Sequence, residues 1–404
     1  MKLIEKVVLL HAYSRRNSGD GLLVDLAVAL LREAFGQRIQ ITIVAADPAS
    51  FPEYDDVIPA PVIAARGATR VVAAARTLLG METPELGTLR DRLSSADLIV
   101  GVGGGYMRAR DGLEALKLRL GHLVQACAAR ATGKPTVYLP QSIGPAMSCT
   151  SRLADNAAMR LRGALSTVDT VCVRDDRSLS FLNGYACATR IPDLAVLEFA
   201  RQRKTILANA ASRGERVQHV ALVLRKAPSW NREQRERYEA SIDQLIAQLR
   251  NKNCRLSFAV QSSGRGNDDA SYYRQMGLTH SLPSLRHLLD HDTPDAVVSV
   301  RLHGALQSVL HGVPAFHLSY ERKGFGAYSD LGIPGWVANA ANFDATTVVE
   351  RIFAPQAIPS FWEATQDALD HVETQRAALI DILRRAAGVA SLQREQSIVE
   401  RQIL

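Results

Sequence analysis

No stretch of the 404 residues approaches the ~20 uninterrupted apolar residues that a membrane-spanning helix requires. The opening run MKLIEKVVLLHAY carries charges inside its apolar stretch and lacks a small-residue cleavage site, so it reads as a first strand rather than a signal peptide. Cysteine is sparse and scattered. Cys127, Cys149, Cys172, Cys187 and Cys254 form no CxxC or Cys/His spacing, which argues against a metal site and for a reducing, cytoplasmic setting. There is no lysine/arginine run interleaved with aromatics, and the net charge of +7 is modest for this length. That balance fits anionic ligands or an acidic lipid surface, and no nucleic-acid partner is expected. Internal repeats and low-complexity tracts are also missing.

What is present is ordinary globular composition, 47% hydrophobic and 22% charged, in a chain too long for one hydrophobic core. Short apolar runs alternate with amphipathic stretches in both halves, the signature of βα units around a parallel sheet. Strands are expected at Lys6–Leu10, Ile39–Ala45, Leu98–Val102, Thr136–Leu139 and Thr170–Val173, with helices such as Gly21–Phe35, Leu113–Ala131 and Ser151–Leu165 between them. The pattern restarts at Val217–Leu224 and continues through Arg255–Val260, Ala296–Val300 and Ala315–Leu318. The expected class is therefore α/β, with two Rossmann-like doubly wound domains facing a cleft. The expected division is 1–200, 201–360 and a helical tail 361–404, with the charged segment Glu198–Arg216 as the junction. Ligands of open α/β sheets bind outside the carboxyl ends of the strands, so motifs at those ends carry the functional argument.

Five such strand ends stand out. Asn17-Ser18-Gly19-Asp20-Gly21 precedes a long helix and suits either an anion at the helix terminus or a plain cap by Asp20. Gly101-Val102-Gly103-Gly104-Gly105-Tyr106 suggests close backbone approach to a ligand or to a packed neighbour; Tyr106 replaces the last glycine of a dinucleotide fingerprint. Gln141 and Ser142, before Gly144-Pro145, offer polar contacts to sugar hydroxyls or merely lead a turn. Arg174 leaves another apolar strand in Val173-Arg174-Asp175-Asp176, placed for a carboxylate or phosphate. The sharpest signal is Ser299-Val300-Arg301-Leu302-His303-Gly304, where a doubly buried strand delivers an arginine and a histidine to a helix start. Lys323, in Ser319-Tyr320-Glu321-Arg322-Lys323, adds a cation to the same rim, while His280, His287, His291 and His311 read as structural or exposed.

The ordered set NSGD, GVGGGY, LPQSIGP, VRDDRS, Pro192-Asp193, SVRLHGALQSVLHGVP and SYERK resembles the polysaccharide pyruvyl transferases. That resemblance implies a two-domain fold of the GT-B glycosyltransferase type. It also implies transfer of the enolpyruvyl unit of phosphoenolpyruvate onto two sugar hydroxyls as a ketal, with no cofactor and no metal. By the resemblance, Arg174, Arg301 and Lys323 hold the donor anions, His303 protonates the enol carbon, and Asp20 or Asp193 orients or deprotonates a hydroxyl. Asn17, Gly19, Gly103, Gly104, Gly105, Gln141 and Ser142 become loop or acceptor contacts. A lipid-linked saccharide at the inner membrane face is the implied acceptor, with peripheral membrane contact. A sugar-nucleotide glycosyltransferase of the same fold is the alternative reading, and a non-catalytic envelope-assembly protein a third.

Overall fold

The computed structural model describes residues 3–109, 111–144, 152–227, 230–264 and 267–389. Pro145 of the LPQSIGP motif, Cys149, Ser151 at the start of an expected helix, and 390–404 of the expected helical tail lie outside them. The chain forms two compact units, one from the chain up to Arg15 with Leu23–Leu194 and the chain from Gln375, the other from Arg16–Leu22 with Ala195–Thr374. The segment Glu198–Arg216, expected as a junction, lies largely within an 18-residue helix, Leu194–Ala211, between the last strand of the first sheet and the first strand of the second.

The first unit is built on strands β1 (Lys6–Ala12), β2 (Gln40–Ala45), β3 (Val57–Pro59), β4 (Leu98–Gly101), β5 (Gly104–Met107), β6 (Thr136–Ile143), β7 (Thr170–Val173) and β8 (Ala188–Arg190). They pair in parallel in the order β3-β2-β1-β4-β6-β7-β8, with β5 joined to β6. Parallel strands covered on both faces read as continuous apolar runs, which is why VVLLHA in β1 and LIVG in β4 are buried throughout. Alternate residues Val8 and Leu10 join Leu86, Leu89 and Leu93 of helix Pro84–Ser95 in one core; each fully buried leucine contributes about 1.5–3 kcal/mol. β6 runs through Ile143, four residues beyond the expected end, so Gln141 and Ser142 lie within the strand. Expected helix Leu113–Ala131 is divided by a π-helical turn at Leu118–Leu123.

The second unit holds β9 (His219–Val223), β10 (Arg255–Phe258), β13 (Ala296–Ser299), β14 (Ala315–Ser319) and β15 (Val337–Asn339), all parallel, in the order β10-β9-β13-β14-β15. A small antiparallel pair, β11 (Ser263–Gly264) and β12 (Asn267–Asp268), interrupts the run. Strand order reverses at β9, so the crevice at the carboxyl ends of β9 and β13 is the topological switch point.

One device sets register in both sheets. Asp97, just before β4, accepts from the Glu5 and Lys6 amides at 3.0 and 3.1 Å. Asp295, just before β13, does the same for Gln218 and His219 at 2.8 Å each. A carboxylate accepting two amides holds neighbouring strand starts level. Asp295→Ala is expected to lower unfolding free energy by about 2 kcal/mol in urea denaturation, with the secondary structure by circular dichroism unchanged.

Candidate functional site

β13 ends in a tight hydrogen-bonded turn. Ser299 Oγ accepts from the Arg301 amide at 3.1 Å and donates to the Arg301 carbonyl at 2.8 Å, which turns the chain directly into helix Leu302–Leu310. Arg301 stands at the cap of that helix, 6% exposed, and pairs with Asp269, which is 1% exposed. Burial pushes the Asp269 carboxyl above its ordinary range, opposed by the charge and hydrogen bond of Arg301. Its other oxygen accepts from the Gln261 and Ser262 amides at 3.1 and 2.9 Å.

Those two residues in turn receive the loop that follows β1. Ser18 donates its amide to the Gln261 carbonyl at 3.0 Å, Asn17 bridges to Ser262, and the Ser263 amide reaches the Arg16 carbonyl at 2.9 Å. Residues 284 positions apart thereby meet, Gly19 against His303. A Cβ on Gly19 would stand 2.8 Å from the His303 Cβ and 3.2 Å from its Nδ1, so only glycine lets the backbone lie against this imidazole. Asn17 Nδ2 donates to Asp20 at 2.9 Å. Withdrawal from water raises the Asp20 carboxyl pKa, and the nearby His303, the Asn17 hydrogen bond, Lys323 and Arg301 pull it back down. Lys323 pairs with Glu321 at 2.8 Å. Asn17, Gly19, Asp20, Arg301, His303 and Lys323 thus form one cluster within the second unit.

Several members of this cluster escape the motifs. Asp269 lies on a short helix with no motif around it. Gln261 is 3% exposed, and neither side-chain amide atom has a hydrogen-bond partner among the described residues. An unsatisfied buried amide costs about 1–3 kcal/mol, and such a group in a crevice is a ready contact for a polar ligand. His317, buried in β14, donates Nδ1 to the Ser299 carbonyl at 2.8 Å, and burial pushes its pKa down to about 4, so it stays neutral beside Lys323 and His303. Arg225 and Lys226 follow β9 and line a cavity of about 530 Å³ together with Arg301 and Asp269. A basic pair closing the buried strand Val220–Val223 was the available signal for them, the same one that marks Arg301.

The remaining motif residues gather in the first unit. Arg174, 2% exposed, pairs with buried Asp193 and donates to Ser142 Oγ and the Gly104 carbonyl, both at 3.0 Å. The ends of β6, β7 and β8 and the start of β5 are thus tied by one guanidinium, and Asp193 serves Arg174. Gln141 is fully buried nearby, again with both amide atoms lacking a partner among the described residues. The glycine run has protein neighbours: a Cβ on Gly103 would meet the Pro140 carbonyl at 2.8 Å, and one on Gly104 would overlap the Tyr106 ring. Gly105, half-buried in β5, continues the same strand. Among the described residues no group of three or more His, Cys, Asp or Glu is disposed to hold a metal ion.

Two parallel α/β sheets with ligand-type residues at their strand ends define a GT-B-type protein. S. aureus MnaA in its UDP co-structure aligns with a TM-score of 0.55 at 8% identity, over 96% of this chain and 98% of that one. The α,α-trehalose 6-phosphate synthase of Burkholderia multivorans aligns at 0.52 and 14% identity, over 96% and 100%. At such identities the likeness speaks for the fold alone. No curated protein matches the sequence. The sequence profile of the family described as polysaccharide pyruvyl transferase matches residues 17–322, and the chain belongs to that family.

Asp269→Ala would leave Arg301 buried without its carboxylate, so this variant is expected to lose about 3–5 kcal/mol of stability in chemical denaturation. The isosteric Asp269→Asn, which keeps a hydrogen-bonding carbonyl, should lose less. Equal stability of Asp269→Ala and the parent would show that the pair carries no weight.

Proposed function

We propose that the protein transfers the enolpyruvyl group of phosphoenolpyruvate onto two hydroxyls of a saccharide, forming a pyruvate ketal in exopolysaccharide or cell-envelope glycan synthesis. The observation that carries this reading is the grouping of His303 and Asp20 with the cations Arg301 and Lys323 in one crevice of a family member. The donor, which bears a carboxylate and a phosphate, is assigned to the second unit, and the acceptor to the first. The acceptor is read as a lipid-linked oligosaccharide met in the cytoplasm at the inner membrane face; no helix among the described residues is long and apolar enough to cross a membrane.

The chemistry follows from the charges. His303 donates a proton to the methylene carbon of the donor, which becomes a methyl group as positive charge develops at the carbon bearing carboxylate and phosphate. Arg301 and Lys323 hold those two anions and balance the negative charge carried off by the departing phosphate. A first sugar hydroxyl adds to that carbon, and its proton passes through Asp20 to reload His303. Phosphate then departs with its bonding electrons, and the second hydroxyl closes the ring, its proton leaving with the phosphate. Gln261 supplies amide contacts to the bound donor. Arg174, read from the sequence as a further donor contact, has its guanidinium engaged by Asp193, Ser142 and Gly104, and this assignment leaves it there.

Phosphoenolpyruvate with a glycan acceptor is expected to release inorganic phosphate, and His303→Gln to lower kcat by about 100-fold or more while donor affinity is kept. Nucleoside diphosphate released from a sugar nucleotide, with no phosphate from phosphoenolpyruvate, would favour the glycosyltransferase alternative. A second test uses pH. Because Asp20 must be ionised to accept the hydroxyl proton and its pKa is raised, kcat/KM should fall on acidification at a higher pH than an ordinary carboxylate would give. Asp20→Asn should be slow and should lack that acidic limb; an unchanged limb would assign it to another group.

A further inference from the structure

The first unit also carries an exposed apolar face that the proposed chemistry does not use. Helix Gly67–Leu78 buries a single residue, Ala73. Val71 and, just past the helix, Leu79 are 70% and 75% exposed, and Leu113 on the neighbouring helix Gly112–Lys117 is 73% exposed. A helix with so little buried surface gains almost nothing from the core, and apolar residues clustered in this way mark an interaction face.

The face opens into a cavity of about 710 Å³ whose lining includes Ile63, Val71, Leu78, Leu116, Tyr106 and His122. Its inner wall is built from packed rings. His122 comes from the π-helical turn, stacks on Tyr106 with ring centroids 4.4 Å apart, and contacts buried His11 at 3.3 Å. Burial holds the His122 pKa down at about 4, so this wall is uncharged at neutral pH. Val62, also in the lining, adopts a left-handed backbone (φ 65°), which a β-branched residue takes only under constraint.

Charge around the face has one sign along the exposed helix. From Val62 to Leu79 the chain carries Arg66, Arg70 and Arg76 and no acidic residue, and on the second helix Lys117 offsets Glu114, which also lines the cavity. Self-association would bring these arginines against their own copies. Aromatic anchors, which dominate protein–protein hot spots, are missing from helix Gly67–Leu78, whose apolar residues are alanine, valine and leucine. Aliphatic side chains flanked by arginine suit a lipid interface with anionic headgroups.

We propose that helices Gly67–Leu78 and Gly112–Lys117 dock the protein on an anionic bilayer. Val71, Leu79 and Leu113 enter the acyl region, Arg70, Arg76 and Lys117 lie at the phosphates, and the cavity between these helices receives one lipid chain. This deepens the membrane-face part of the proposed function and rests on it only for biological setting, since docking requires neither donor nor acceptor.

The test is sedimentation of the full chain with vesicles of phosphatidylglycerol or of phosphatidylcholine. The parent should partition onto phosphatidylglycerol, more weakly onto phosphatidylcholine, and less at about 0.5 M salt. The double variants V71D/L79D and R70E/R76E should each lower partitioning about tenfold or more, with melting temperature unchanged because these side chains are exposed. No preference for phosphatidylglycerol, or binding by V71D/L79D equal to the parent, would overturn the proposal. So would a dimer that V71D/L79D dissociates while vesicle binding persists, which would assign the face to a second copy. Phosphate release with a water-soluble acceptor separates the two claims: lost docking with intact release sinks only the docking, and lost release with intact docking sinks only the transfer.

Discussion

A guanidinium withdrawn from water needs a carboxylate withdrawn with it, and both sheets of this protein meet that demand at the carboxyl edge of their strands. In the second unit the pair is Arg301–Asp269, and much of the site hangs from it. Asp269 fixes the amides of Gln261 and Ser262; those residues receive the loop Arg16–Ser18; that loop sets Gly19 against His303 and Asp20 beside it. The position of the histidine is thus the last link of a chain of hydrogen bonds that begins with one buried ion pair. Arg174–Asp193 plays the corresponding part in the first unit, joining strand ends rather than a distant loop.

Much of this was legible from the residues themselves. The apolar runs of β1, β4, β7, β9, β13 and β14 declare buried parallel strands, and the cluster of Asp20, Arg301, His303 and Lys323 follows from reading what stands at strand ends. The short strands β3, β8 and β15 carry three residues each, too few for a period to register. β5 was hidden because GGYM looks like a loop, Gly104 being needed to clear Tyr106 rather than to turn. Asp269 and Gln261 were out of reach for a different reason. Their roles depend on contacts with residues far along the chain, and neither carries a local pattern. His317 did leave a trace, as a polar residue inside the otherwise apolar run Ala315–Leu318, but a buried neutral histidine is more often structural than not.

The fold on its own would not have separated the functional readings, because one fold hosts many unrelated functions. The residues of the second unit are what favour the proposed reading. A sugar-nucleotide enzyme needs cations for a diphosphate, and the crevice of the second unit would supply them; what that reading leaves unused is an imidazole packed against a glycine and near a carboxylate of raised pKa. A proton donor coupled to a proton acceptor is the equipment for adding a hydroxyl across an enol double bond.

The central claim is therefore a protonation at carbon, and solvent deuterium reads it directly. With phosphoenolpyruvate and acceptor in deuterated water, the account predicts a single solvent-derived deuterium in the methyl group of the glycan-bound pyruvate ketal, seen by mass spectrometry and proton NMR. A glycan product carrying no pyruvyl methyl group, or one whose methyl group contains no solvent deuterium, would contradict it.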